Sequence, residues 1–224
     1  MNSQLGSRQV FLNCKQALND AGYNQNQIDE AVLSPSYLRI DVPLNATSTL
    51  FNLPVLVNQT ISGNAIRPNE VRLAIQDGFF VSSWMLYLTL ETAAQQNSVL
   101  NAFPDQKIFA TGGLYTAGAT PLWAVYNGNL NLAINNKNII TRYPCSKFMQ
   151  VPQTQQPSAA VNPISQFDGT FDCVLEPNIL LLGSNNINLN LNLNGIISAI
   201  DANTTAVLYM NGILAQNISS LVVA

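Results

Sequence analysis

From Asn186 to Asn194 the chain alternates amide and aliphatic side chains without a fault, and Gly195 closes the run. A period of two places every aliphatic group on one face and every amide on the other, which predicts a strand with one dry face and one polar face. Asparagine is depleted in strands, so backbone preference opposes this reading by up to about 1 kcal/mol per residue. Burying Ile187, Leu189, Leu191 and Leu193 contributes roughly 6–12 kcal/mol in return, at about 1.5–3 for each fully buried side chain. Burial wins, and the segment is read as a strand lying on a hydrophobic core.

The same period recurs over most of the chain, but not at its start. Between Ser7 and Ala21 the apolar residues Val10, Phe11, Cys14, Ala17, Leu18 and Ala21 follow helical spacing, and Gly22 stands where a helix C-cap glycine belongs. A second short helix is predicted from Asn26, as N-cap, through Ile28, Ala31, Val32 and Leu33, ended by Ser34-Pro35-Ser36. Residues 1–34 therefore read as a helical N-terminal arm and residues 35–224 as a β domain.

From Tyr37 the alternation predicts strands at Tyr37 to Val42, Leu50 to Val57, Glu70 to Ile75 and Phe79 to Leu90. The last of these, with Trp84, Leu86, Leu88 and Leu90 in one phase, is expected to be central. Glu91 to Phe103 suggests a short crossing helix, and the glycines around Gly112 and Gly118 a loop. Leu122 to Tyr126, Asn127-Gly128 and Leu130 to Ile134 read as a hairpin on a type I′ turn, and Asn135 to Asn138 as a second turn into Ile139 to Tyr143. Pro144 to Gln166 reads as a long loop. Further strands are predicted at Phe171 to Leu175, Ile179 to Leu182, Ile187 to Leu193, Ile196 to Ile200, Thr205 to Met210 and Ile213 to Gln216. Many strands with turn signals every eight to twelve residues point to an antiparallel β-sandwich, jelly-roll-like, rather than a solenoid, since no repeat has a fixed period.

Composition narrows the function classes. Charged residues make up 9% of the chain against roughly 25% in an average soluble protein, and amides and hydroxyls fill the polar positions. Such a surface repels copies of itself weakly and is cheap to desolvate, which favours a place in an assembly; an amide-rich monomer has the same composition. A net charge of −3 leaves no basic stripe for phosphates, so sequence-specific nucleic-acid binding is not expected. No apolar run approaches the length of a membrane span, and Met1 to Gln4 opens no signal peptide. Cys14, Cys145 and Cys173 are too few and too scattered for a disulfide framework or zinc cluster, and read as reduced thiols.

The 224 residues contain no histidine, which removes Ser-His-Asp and Cys-His nucleophilic sites, histidine-ligated zinc and most general-base designs together. Phosphate-binding glycine motifs are also missing. Asp168, Asp172 and Glu176 could supply paired carboxylates for glycoside hydrolysis or calcium, but Asp168-Gly169 is a turn dipeptide in its own right. Trp84, Trp123, Tyr87 and Tyr126 could stack on a sugar, although aromatics at strand spacing are more often core. No catalytic, cofactor or metal residue is assigned. The amide face of Asn188, Asn190 and Asn192 is the expected subunit contact, joined by Arg67 and Arg72, for which a solvated strand end is the competing explanation.

A helical arm, a long histidine-free β region, and stretches such as Val151-Pro152-Gln153-Thr154-Gln155-Gln156 and Glu176-Pro177-Asn178-Ile179-Leu180-Leu181 resemble the texture of jelly-roll coat proteins of icosahedral bacteriophages. The resemblance implies two facing antiparallel sheets and a structural virion protein, not an enzyme. It further implies a capsid subunit that is made in the host cytoplasm and assembles with copies of itself and other virion proteins. The alternative is a carbohydrate- or receptor-binding sandwich on a fibre, tail or spike.

Overall fold

The computed structural model describes residues 8–59, 67, 69–90, 100, 121–149, 173–197, 200 and 202–218. These form two helices, α1 (Arg8–Asp20) and α2 (Gln25–Glu30), then strands β1 (Val32–Pro43), β2 (Leu50–Leu53) and β3 (Gly78–Leu90). A one-turn-and-a-half helix α3 (Pro121–Tyr126) precedes β4 (Asn129–Ile134), β5 (Lys137–Pro144), a 3-10 turn at Cys145–Phe148, β6 (Cys173–Leu182), β7 (Ile187–Asn192) and β8 (Thr204–Gln216).

The strands make two four-stranded sheets, ordered β1-β8-β3-β6 and β2-β7-β4-β5, and every strand pair is antiparallel. The pairs β1·β8, β2·β7, β3·β6 and β4·β5 nest inside one another, as if a single long hairpin had been rolled around a barrel. That connectivity is the eight-stranded jelly roll, so the protein is a mainly β, antiparallel sandwich with a helical N-terminal arm, as its periodicity predicts. Between the sheets lie Leu38, Ile40, Phe51, Trp84, Leu86, Leu88, Leu130, Leu189, Leu191 and Leu208, all buried. Trp84 stands edge-on to Tyr143 and Phe148, with ring centroids 4.8 and 6.0 Å away.

The helices cover one end of the outer face of the first sheet. Cys14 and Leu18 of α1 and Ile28 of α2 pack on Phe80, Ile213, Ala215 and Ile218. Gly22, at φ 100°, ends α1 as expected. The cap of α2 is Asn24, not Asn26: its Oδ1 accepts from Gln27 N, and Gln27 Oε1 accepts from Asn24 N, both at 2.9 Å. Val32 and Leu33 belong to β1, because pairing with Gln216 and Ala215 of β8 outweighs helical continuation. Pro35 is tolerated because β1 is a sheet edge.

Four other expectations change. Leu122 to Tyr126 lies in a helix, and Asn127-Gly128 links α3 to β4; the hairpin turn is Asn135-Asn136, both left-handed at φ 50° and 63°, joining β4 to β5. The segment at Glu70 to Ile75 is no strand but a strap: Val71 exchanges backbone hydrogen bonds with Arg39 on the free edge of β1, and Leu73 bonds Val55 and Val57 beyond β2. The runs on either side of Pro177 are one strand, β6, as are those on either side of Asn211-Gly212, β8. Ser82 is the extra residue of a bulge in β3, and a Cβ on Gly212 would run into the Phe80 carbonyl there, so this glycine marks close backbone approach, not a turn. Ile196 and Ile197 form no strand. The helix expected at Glu91 to Phe103, the loops around Gly112 and most of Pro144 to Gln166 lie outside the described residues.

All four sheet edges are blunted. The strap and Pro35 guard β1, and β2 is only four residues long with Pro54 just beyond it. Two register shifts with Lys137, Arg142 and Pro144 interrupt β5, and a register break with Pro177 interrupts β6.

Candidate functional site

The organising stretch Asn186 to Asn194 folds as its alternation dictates. Ile187, Leu189 and Leu191 are at most 1% exposed, while Asn188, Asn190 and Asn192 point out of the second sheet. Register extends this amide face across three strands. Asn190 lies between Asn52 of β2 and Asn131 of β4, Asn192 between Leu50 and Asn129, and Asn188 beside Ala133. With strands about 4.8 Å apart and same-face residues about 6.7 Å apart, six asparagines occupy a grid of about 10 by 13 Å.

The amides order one another. Asn190 Nδ2 donates to Asn188 Oδ1 at 2.9 Å. In the orientation its neighbours dictate, Asn131 accepts from Asn192 Nδ2 at 2.8 Å and donates to Asn129 Oδ1 at 2.9 Å and to the Thr141 carbonyl. β2, β7 and β4 contain no charged residue, so this exterior is uncharged, and polar except at Leu50 and Ala133. Asn52 and Asn188 are exposed, and the other four asparagines partly so. Sequence periodicity singles out Asn188, Asn190 and Asn192; Asn52, Asn129 and Asn131 join them only through register, although Asn129-Leu130-Asn131-Leu132 repeats the same alternation in brief.

The charges gather elsewhere. Of nine basic and twelve acidic residues, Arg39, Asp41, Arg67, Glu70 and Arg72 meet where the strap crosses β1. Arg39 grips Asp41 with two bonds of 2.9 Å, and Arg72 donates to both Glu70 oxygens at 2.9 Å. Glu70 also accepts from the backbone N–H of Asp41 and Arg67, and Arg67 Nη1 reaches Thr205 Oγ1. The Arg72 side chain is 2% exposed and its Nη1 bonds Gln59 O, so little of its guanidinium is open to another subunit. Burial pushes the Asp41 carboxyl up from its ordinary value, against the hydrogen bonds and charge of Arg39. Beside the pair, Arg39 lies over the ring of Tyr209, which stacks on the exposed Tyr37.

Each carboxylate in this cluster is held by an arginine, Asp41 by Arg39 and Glu70 by Arg72. Burial pushes the thiols of Cys14 and Cys145 up to about 12, far from nucleophilic at neutral pH. Trp84, Tyr87 and Tyr126 are at most 3% exposed, so these three form no sugar platform. The Trp123 side chain, Asp168 and Asp172 lie outside the described residues, and Glu176 is exposed on β6. Among the described residues there is no group of three or more metal-ligating side chains, and no helix is long and apolar enough to cross a membrane. Comparison with family models, curated proteins and solved structures finds no match to this chain.

Proposed function

We propose that this chain is a structural virion protein, a jelly-roll coat subunit made in a host cytoplasm that assembles with copies of itself into an icosahedral shell. The observation that carries the reading is the pairing of an eight-stranded jelly roll with an exterior on three adjacent strands, β2, β7 and β4, that is uncharged and mostly amide. Jelly rolls serve as capsid subunits, lectins and cupins, so the fold alone does not choose among them. A metal-dependent cupin-like role finds no ligand cluster among the described residues and no histidine anywhere. The alternative, a glycan- or receptor-binding sandwich on a fibre or spike, loses three of its four aromatic candidates to the core.

Low charge fits repeated contacts between copies, because bringing amides together costs less desolvation than bringing charges together. Light scattering and electron microscopy of the purified full chain test the reading. Large oligomers or closed particles are the expected result. A chain that stays monomeric across concentration and salt overturns it.

A further inference from the structure

We propose that the amide face of β2, β7 and β4 is where one copy of this chain meets a second, face against face. The inference rests on the self-assembly reading and adds to it the surface and the mode of contact. Two observations support it, and a third sets its strength.

The first is that joining copies strand to strand is obstructed at every edge. A partner strand would meet the strap on β1, a four-residue β2, the shifted registers of β5 with Lys137 and Pro144, or the broken register of β6 at Pro177. Among the described residues, what remains for a broad contact is a sheet exterior. One end of the first sheet's exterior is already occupied by α1 and α2.

The second is that the second sheet's exterior is its own chemical complement. Every asparagine carries both donor and acceptor, so a face apposed to a copy of itself can satisfy hydrogen bonds in either direction. The Nδ2 groups of Asn52, Asn129 and Asn188 donate to no atom of the described residues, and Asn190 and Asn192 each use one N–H of two. No charge on these strands sets copy against copy.

The third is size. A grid of about 130 Å² is far below the roughly 800 Å² per partner of a stable pairwise interface. Even with its exposed rim residue Leu50, one such contact is weak and gains strength only when repeated in an assembly. Being uncharged, it should also be nearly indifferent to salt.

The test compares the wild-type full chain with Asn190→Asp and with Asn131→Asp by sedimentation at low and high salt. Each substitution keeps side-chain shape and puts like charges on both apposed faces. Asn26→Asp on α2 adds the same charge elsewhere and serves as control. Self-association of both face variants is expected to weaken at least about tenfold at low salt and to recover partly at high salt, while wild type and control hardly respond to salt. Thermal melts establish that the variants fold; should either fail to, Asn52→Asp on the exposed short strand gives the same reading. If wild type assembles and the face variants assemble equally well, the face is not the contact and the coat reading stands. If wild type is monomeric, both fall; shifts of the Asn190 and Asn131 side-chain amide resonances on adding free sugars would then assign the face to a glycan.

Discussion

Replacing Glu70 by glutamine should be among the most damaging conservative changes in this protein. The Glu70 and Arg72 side chains are 1% and 2% exposed and lie 2.9 Å apart, two residues from each other on the strap that joins β1 to the segment beyond β2. Glutamine removes the charge opposite Arg72 and turns one accepting oxygen into an NH2 group, which must then face the N–H of Asp41 or Arg67. Orphaning one member of a buried ion pair costs about 3–5 kcal/mol. Arg72→Met orphans Glu70 in turn, but the carboxylate keeps its two backbone donors, so its cost should lie at the lower end of the same range, about 3 kcal/mol. Once the pair is gone its second half matters less: the double variant should lose about 3–5 kcal/mol, a coupling of about 2–3 kcal/mol relative to the summed singles. Urea unfolding followed by the fluorescence of the two tryptophans, of which Trp84 is 1% exposed in the core, reads these differences as midpoint shifts. The protein must be dilute enough that midpoints do not depend on its concentration. For a domain of this length, Glu70→Gln should lower Tm by about 6–20 °C. A loss below about 1 kcal/mol for Glu70→Gln, with additive singles, would refute the claim that this pair pins the strap.

Three other changes probe separate features. Gly212→Ala should destabilise by more than about 2 kcal/mol in the same urea assay, because its Cβ meets the Phe80 carbonyl at the β3 bulge. Asp41 should titrate above the ordinary carboxylate value when followed by NMR. A carboxyl raised in the folded state holds its proton more tightly there, so its contribution to stability is full at low pH and falls as pH rises from about 3.9 through the folded value; Asp41→Asn should flatten that part of the stability profile. In the native protein at pH 8 a thiol reagent should label Cys173 first, and the buried Cys14 and Cys145 only as fast as the structure opens.

What the sequence makes legible is whatever depends on local period. The faultless alternation at β7, the helical spacing of α1 with Gly22 behind it, and the long run of β3 each carry enough residues to fix the period. Short apolar runs do not: Leu122 to Tyr126 suits a strand or a helical turn equally, and the turn signal Asn127-Gly128 favours the strand although the segment is helical. Glycine is ambiguous for a related reason. Asn211-Gly212 has the composition of a hairpin turn, yet here it answers to the backbone of Phe80, a neighbour 132 positions away in sequence numbering. The charge cluster was hidden for the same cause, since Arg39 and Asp41 meet Glu70 only after the strap folds over β1. Of the amide face, half was visible in one strand, and the other half required knowing that β2 and β4 flank it.

The two sheet exteriors of this jelly roll are finished differently, and on the proposed reading that difference is what assembly would use. The first sheet uses its own chain for cover: α1 and α2 seat apolar side chains on Phe80, Ile213 and Ala215, and the strap with Arg67 before it brings two of the five arginines and one carboxylate against the outward-facing Arg39, Asp41 and Thr205. The second sheet is left with asparagines that bond one another laterally and have capacity to spare. A protein selected only for solitary solubility would gain by placing charges there, since every outward position of β7 accepts a polar residue and charge is the stronger guard against association. Instead all three outward positions of β7 are amides and those of β2 and β4 are amides but for Leu50 and Ala133, while the edges are guarded by proline, lysine and broken register. Among the described residues the edges are guarded and one face is uncovered, the arrangement a subunit needs if it is to meet its copies in a defined way and not extend into open-ended sheets.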